Sequence, residues 1–177
     1  MNKPRAAVIC GALLAIVLLA CAVCALHWMN AVSLRGGIPV GDCIKADSTE
    51  EGLVPLVEKL QLERGILEIS GALLRMDQPV GKVHVRVGLI AQEKPDEMIL
   101  LNTQMVRRFD MAQTYGCDDH CGFYAAVKKD QLTERDGAYR VVLVDEQNGT
   151  LKMIETGYLM MADGSVAERP EEVQNAH

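Results

Sequence analysis

Hydrophobic and polar positions follow two different patterns along the chain. From Ala6 to Leu26 every residue is apolar or small, with no charge and no strongly polar group. From residue 57 onward, apolar and polar positions alternate in short runs. The first pattern predicts a helix about 30 Å long, the thickness of a hydrocarbon layer. Lys3 and Arg5 precede it; His27, Trp28 and Asn30 follow. Positive charge stays on the cytoplasmic side of a membrane, which predicts a basic cytoplasmic terminus at 1–5, a single-pass anchor over 6–28 in the lipid bilayer, and everything later outside. Trp28 falls where an interfacial aromatic anchor would sit.

The same residues support two rival readings. Ala20-Cys21-Ala22 is a small-residue exit of the kind found at a cleaved signal, and Leu18-Leu19-Ala20-Cys21 resembles a lipobox ending in a lipid-modified cysteine. A cleaved signal needs an apolar core of only about 7–15 residues, and a lipidated cysteine is followed by a polar tether where Ala22 to Leu26 stand. The uncleaved anchor is therefore the leading expectation. All three readings place the chain from residue 30 outside the cytoplasm.

Residues 29–56 carry Gly36-Gly37, Pro39, Gly41 and an acidic cluster at Asp47, Glu50 and Glu51, which reads as a stalk or linker. Ser48-Thr-Glu-Glu51 matches a capping box and predicts a short helix within 48–57, with Pro55 confined to its first turn. Strand-like runs then follow. Leu60 and Leu62 alternate with charge, and Ile66 to Met76 follows Arg64-Gly65. A turn at Asp77–Gly81 leads into Lys82 to Ile90, where Val83, Val85, Val87 and Leu89 share one face and His84 and Arg86 the other. Met98 to Val106, Cys121 to Val127, Tyr139 to Val144 and Thr150 to Met160 complete about seven strands. Asn148-Gly149 is a strong hairpin signal, because both residues tolerate positive φ. With no long helical window, the prediction for 57–161 is all-β: an antiparallel two-sheet sandwich, or a small closed barrel. The acidic tail, 162–177, has no apolar period and is expected to be disordered.

Four short motifs occur in order: Ile69-Ser-Gly-Ala-Leu, Arg108-Phe-Asp-Met-Ala112, Cys121-Gly-Phe-Tyr and Gly137-Ala-Tyr-Arg-Val-Val-Leu-Val144. Together they resemble the landmarks of a bacterial immunoglobulin-like β-sandwich carried by cell-surface and envelope-polysaccharide proteins. In that pattern an Ile-x-Gly-Trp strand comes first, an Arg-x-Asp-Val element lies mid-domain, and Gly-Phe opens a later strand. The likeness covers about 57–160 and departs where Ala72, not tryptophan, follows Gly71. It marks Gly71, Arg108, Asp110, Gly122 and Phe123 as structural landmarks, implies an immunoglobulin-like fold, and transfers no catalytic residue.

Charge narrows the function. The net charge is -6; removing Lys3 and Arg5 from the 18 basic residues leaves 16 against 24 acidic, or -8 for the exported part. An acidic domain lacks the basic face that replaces phosphate counterions, so nucleic acid is excluded as a partner. No Ser-x-x-Lys, Gly-x-Ser-x-Gly, phosphate loop or His-Glu-x-x-His occurs, so no enzyme and no cofactor are expected. Cys117-Asp-Asp-His-Cys121 is the conspicuous polar cluster. Cys117, His120 and Cys121 are candidate metal ligands, although five adjacent residues rarely converge on one ion. In an exported chain a disulfide drawn from Cys43, Cys117 and Cys121 is the simpler expectation. His84 reads as a solvated side chain or an acid–base group. Tyr115, Tyr124, Tyr139 and Tyr158 are the only aromatic platforms for sugar beyond Trp28. The expected function is a membrane-anchored, non-catalytic module contacting an envelope protein or glycan. A lipoprotein or metal-handling factor built on the cysteine loop is the alternative.

Overall fold

A computed structural model of the chain describes residues 3–31, 34–46, 52–76, 84–132, 137–147 and 149–168. The chain divides into two compact units, Met1–Ala31 and Val32–His177. The first is one helix, α1 (Lys3–Ala31), 29 residues long. Leu13, Leu14, Ile16, Val17, Leu18, Leu19, Val23 and Leu26 are each more than half exposed on it, so its apolar side chains point outward all round rather than forming a stripe. Side chains of α1 are described for residues 11–26, and among the described residues no helix is long and apolar enough to cross a membrane.

The second unit is all-β and has two sheets. Strands are β1 (Leu34–Pro39), β2 (Ile44–Lys45), β3 (Leu53–Glu63), β4 (Ile66–Arg75), β5 (Val85–Ala91), β6 (Glu97–Leu101), β7 (Thr103–Val106), β8 (Gly122–Lys128), β9 (Ala138–Gln147), β10 (Thr150–Met161) and β11 (Val166–Glu168). The larger sheet runs β1-β6-β5-β9-β10-β11, with β2 also beside β10; the smaller runs β3-β4-β8-β7. Neighbours are antiparallel except β2 and β10. Alternation places Leu67, Ile69 and Leu73 of β4, Phe123, Ala125 and Val127 of β8, Val87 and Leu89 of β5, and Val141 and Leu143 of β9 in the core between the sheets. Arg75 Nη2 meets Asp145 Oδ2 at 2.5 Å, and the Asp145 side chain is fully buried.

Met98 to Val106 reads as one strand but is two. The chain turns at Asn102, leaving β6 in the larger sheet and entering β7 in the smaller. At that corner the Thr103 hydroxyl oxygen accepts the Val87 N–H at 2.9 Å and donates to Leu101 O at 3.1 Å, taking over where the β6 ladder ends.

The expected linker 29–56 is corrected in the same way. Its Gly- and Pro-rich sequence forms β1, bulged between Leu34 and Gly36, along the β6 edge. Val40, Cys43 and Ile38 then pack against Ile90, Met98, Val142 and Met153 on the outer face of the larger sheet, and β2 joins β10. Backbone pairing needs no apolar period, and short irregular strands are usual at sheet edges. No helix forms over 53–57, which belongs to β3; an edge strand tolerates Pro55, whose missing N–H costs no ladder bond on its outer side. Ser48 to Glu51 lie outside the described residues. The tail begins later than expected, because β11 pairs with Leu159 and Met160; residues 169–177 lie outside the described residues, as do the turn at 77–81, Lys82, Val83 and Asn148. The hairpin survives in Gly149, at φ 80°, and in the Gln147–Thr150 pair.

Candidate functional site

The landmark residues meet in space. Gly71 pairs with Phe123 and Ala72 with Gly122 across β4 and β8. Opposite Gly71, β3 bulges between Val57 and Lys59, and a Cβ on Gly71 would lie 1.9 Å from Leu56 O. The bulge adds Glu58, a residue with no partner in the β4 register. Its carboxylate takes the Arg108 guanidinium, with Nη2 to Oε1 at 2.8 Å, while Arg108 Nε and Nη2 also hold Asp110 at 2.9 and 2.6 Å. The Arg108 stem lies over Gly122, where a Cβ would meet its Cγ at 2.6 Å. The Arg108 hydrogen bonds push the Asp110 carboxyl down to about 2. Both carboxylates are engaged by one guanidinium, so this cluster ties the β3 bulge to the segment after β7.

Asp110 sits in the first turn of a short helix, α2 (Phe109–Tyr115), which Gly116 closes at φ 68° with its N–H on Ala112 O. Seven residues are too few to show a helical period, which is why the sequence pattern does not reveal α2. A 3-10 turn at Asp119–Cys121 follows; Asp118 caps it by accepting the His120 N–H at 2.8 Å. Met111, Cys117 and Cys121 cover Ala72 and Leu74 on the outer face of the smaller sheet.

The candidate metal ligands Cys117, His120 and Cys121 do not form one cluster among the described residues. Among the described residues, the three-ligand cluster is Asp118, Asp119 and His120, without either thiol. His120 is already engaged at both nitrogens. Arg107 Nε donates to its Nε2 at 3.1 Å, and its Nδ1 lies 2.7 Å from Asp119 Oδ1 and 3.2 Å from Asp118 Oδ1. With Arg107 on one nitrogen, the other is the proton donor to the carboxylates, and neither imidazole nitrogen offers a lone pair to an ion. The expected disulfide is absent as well. Cys43, Cys117 and Cys121 are free thiols. Cys117 and Cys121 stand 3.9 Å apart, Sγ to Sγ. Cys43 packs on the outer face of the opposite sheet, which rules out its pairing with Cys117.

A concavity lies elsewhere. A cleft of about 400 Å³ is lined by His84, Val85, Arg86, Thr103, Met105, Glu146 and Gly149. It exists because β6 abandons β5 beyond Gly88 to become β7, leaving the start of β5 without a ladder neighbour on that side. The cleft wraps this edge. On the inner side lie Val85, Thr103 and Met105; on the outer side an Arg86–Glu146 ion pair and exposed His84. Glu146 N donates to His84 O at 3.2 Å, tying the two strands at the rim. His84 and Arg86 are legible as the polar face of a strand. Thr103 and Met105 are not, since they depend on the sheet crossing at Asn102. Of the tyrosines, Tyr139 and Tyr158 are buried, Tyr124 is half-buried with its hydroxyl on Glu68 Oε1, and Tyr115 alone is exposed. Comparison of the chain with family models, with curated proteins and with solved structures finds no match.

Proposed function

We propose that the chain is a single-pass, membrane-anchored module with its β-sandwich outside the cytoplasm. It contacts an envelope protein or glycan through the cleft at the β5 edge and carries out no reaction. In this reading the sandwich is of the immunoglobulin-like kind to which the landmark motifs are similar. The observation that carries it is the division of labour along the chain. An outward-facing apolar helix forms one unit, and a self-contained β unit with its own core forms the other. The uncharged run from Ala6 to Leu26, flanked by Lys3 and Arg5 on one side only, supports the anchor and its orientation. Among the described residues, no tryptophan, tyrosine or phenylalanine lines the cleft, which favours an extended polypeptide over a stacked sugar ring as occupant.

Impermeant maleimide on intact cells tests the orientation. With Cys10, Cys21, Cys24, Cys117 and Cys121 replaced by alanine, an exported Cys43 reacts before lysis; reaction only after lysis refutes the placement. The mass of the membrane-extracted chain separates an uncleaved anchor from lipidation at Cys21 and from cleavage. A photo-crosslinking residue at Met105 captures the partner in the same cells, whereas one at Gln61, on the polar face of β3, does not. Equal capture at both positions refutes the cleft.

A further inference from the structure

Cys117 and Cys121 bracket a tight turn and share one small apolar cluster, with Cys121 buried and Cys117 half-buried. Their sulfurs are 3.9 Å apart. Cys43 lies across the thickness of the sandwich on the other outer face. We propose that Cys117 and Cys121 form an oxidation site, closed into an intramolecular disulfide by thiol–disulfide exchange, and that Cys43 takes no part in that bridge. The proposal takes the compartment of that exchange from the extracytoplasmic reading above; the chemistry itself depends only on the pair.

The oxidant is a small-molecule disulfide or the active-site disulfide of an oxidoreductase. Cys117, the accessible thiol, loses its proton to water and attacks one oxidant sulfur, forming a mixed disulfide and expelling the other sulfur as a thiolate. Cys121 then gives up its proton and attacks the Cys117 sulfur, releasing the second oxidant thiolate. Two protons and two electrons leave the protein, one S–S bond forms, and the oxidant's S–S bond becomes two thiols. An S–S bond is about 2.05 Å long, so the sulfurs must approach by about 1.9 Å from their 3.9 Å separation. Rotation at Cys117, which lies in the loop after Gly116 rather than in a strand, supplies this.

The order of attack is set by burial, which pushes the Cys121 thiol up to about 12. A thiol of that kind is a slow first nucleophile and a poor leaving group. Reductant reaching the half-buried Cys117 sulfur must expel Cys121, and the sulfur whose attack would expel Cys117 is buried. The bridge should therefore open slowly once formed, locking Asp118, Asp119 and His120 into a small ring beneath Arg107.

The test uses the full chain in detergent micelles, equilibrated with oxidised and reduced glutathione, acid-quenched, denatured, alkylated and mapped without reductant. The expected product links Cys117 to Cys121 and is lighter than the dithiol by two hydrogen atoms, with Cys43 recovered alkylated or as its glutathione adduct and never linked to another cysteine of the chain. A C121S variant should accumulate a glutathione adduct on Cys117, and a C117S variant should form one on Cys121 at least ten-fold more slowly. Free alkylation of both thiols at all ratios overturns the proposal, as does Cys43 in the linked peptide or equal adduct rates in the two variants. A bridge that forms in micelles while cells yield only free thiols would leave the pair's chemistry standing and refute the extracytoplasmic placement instead.

Discussion

The two outer faces of the sandwich both bury apolar side chains, yet they are covered by different means. On the larger sheet, residues 38–43 lie over Ile90, Met98, Val142 and Met153, held at one end by the β1 ladder and at the other by β2. On the smaller sheet, α2 and the Asp119–Cys121 turn lie over Ala72 and Leu74, held mainly by side chains: the Arg108 fork, the Asp118 cap and the contact of the two thiols. Beyond that cover the same face is polar, with Glu68 taking Lys59 and Tyr124. A backbone-held cover depends little on which side chains it carries. A side-chain-held cover can be undone one residue at a time. Of the landmark residues, Gly71, Arg108, Asp110 and Gly122 belong to the second face or its cover, where close approach dictates residue identity at Gly71 and Gly122.

Glycine substitutions should separate the faces most sharply. A Cβ at Gly71 would lie 1.9 Å from backbone oxygen that cannot move without undoing the β3 bulge, whereas one at Gly37 would meet only Met98 O at 3.8 Å. Gly71→Ala should cost about 3 kcal/mol or more, in the range of overpacking, and Gly37→Ala should stay within about 0.5 kcal/mol. Urea unfolding of the full chain measures both; comparable losses would mean that the two covers are held alike.

Oxidation is the next largest effect. Closing the short Cys117–Cys121 loop should stabilise the side-chain-held cover by about 2 kcal/mol on the loop-entropy relation, or about 4–8 °C in Tm for a domain of this size. Calorimetry before and after reduction checks it. Cys43→Ala, on the backbone-held cover, should change stability by less than about 1 kcal/mol and be insensitive to redox state. A redox-dependent Cys43→Ala effect would show that the two faces are coupled.

How much of this was legible follows the same division. The core strands announce themselves because each has one face against the core: Leu67 and Ile69, Val85 to Leu89, Phe123 to Val127 and Val141 to Leu143 all show period two. Strands β1, β2 and β11 do not, since they gain backbone pairing with little side-chain burial, and Gly36, Gly37 and Pro39 read as linker. The outer face of β5 was expected to be wet. It is wet at His84 and Arg86 but buried at Gly88 and Ile90, beneath a segment whose position no local pattern reveals. At the cysteine loop, the sequence draws attention to the residues but does not show their grouping. Nothing in Cys117-Asp-Asp-His-Cys121 says that the thiols turn inward while the carboxylates turn toward Arg107. The cleft was the least legible feature, because it arises from a strand changing sheets at Asn102.

The smallest effect concerns how the Arg108 fork answers to acid. Asp110 is exposed, and its carboxyl is pushed down to about 2, first by its hydrogen bonds to Arg108. An unfolded aspartate titrates near ~3.9. The folded state therefore prefers the charged form, and the stabilisation is fully present above that ordinary value. It is lost as pH falls toward 2, because there the folded protein too takes up the proton. Carboxyl NMR of the full chain should give Asp110 a midpoint near 2, and Arg108→Met should return it toward the ordinary value while α2 loosens over Leu74. If Arg108→Met leaves the Asp110 midpoint unchanged, the helix N-terminus rather than the fork holds that carboxylate. The cover on the smaller sheet would then rest on backbone after all, and the contrast between the two faces would fail at its most exposed point.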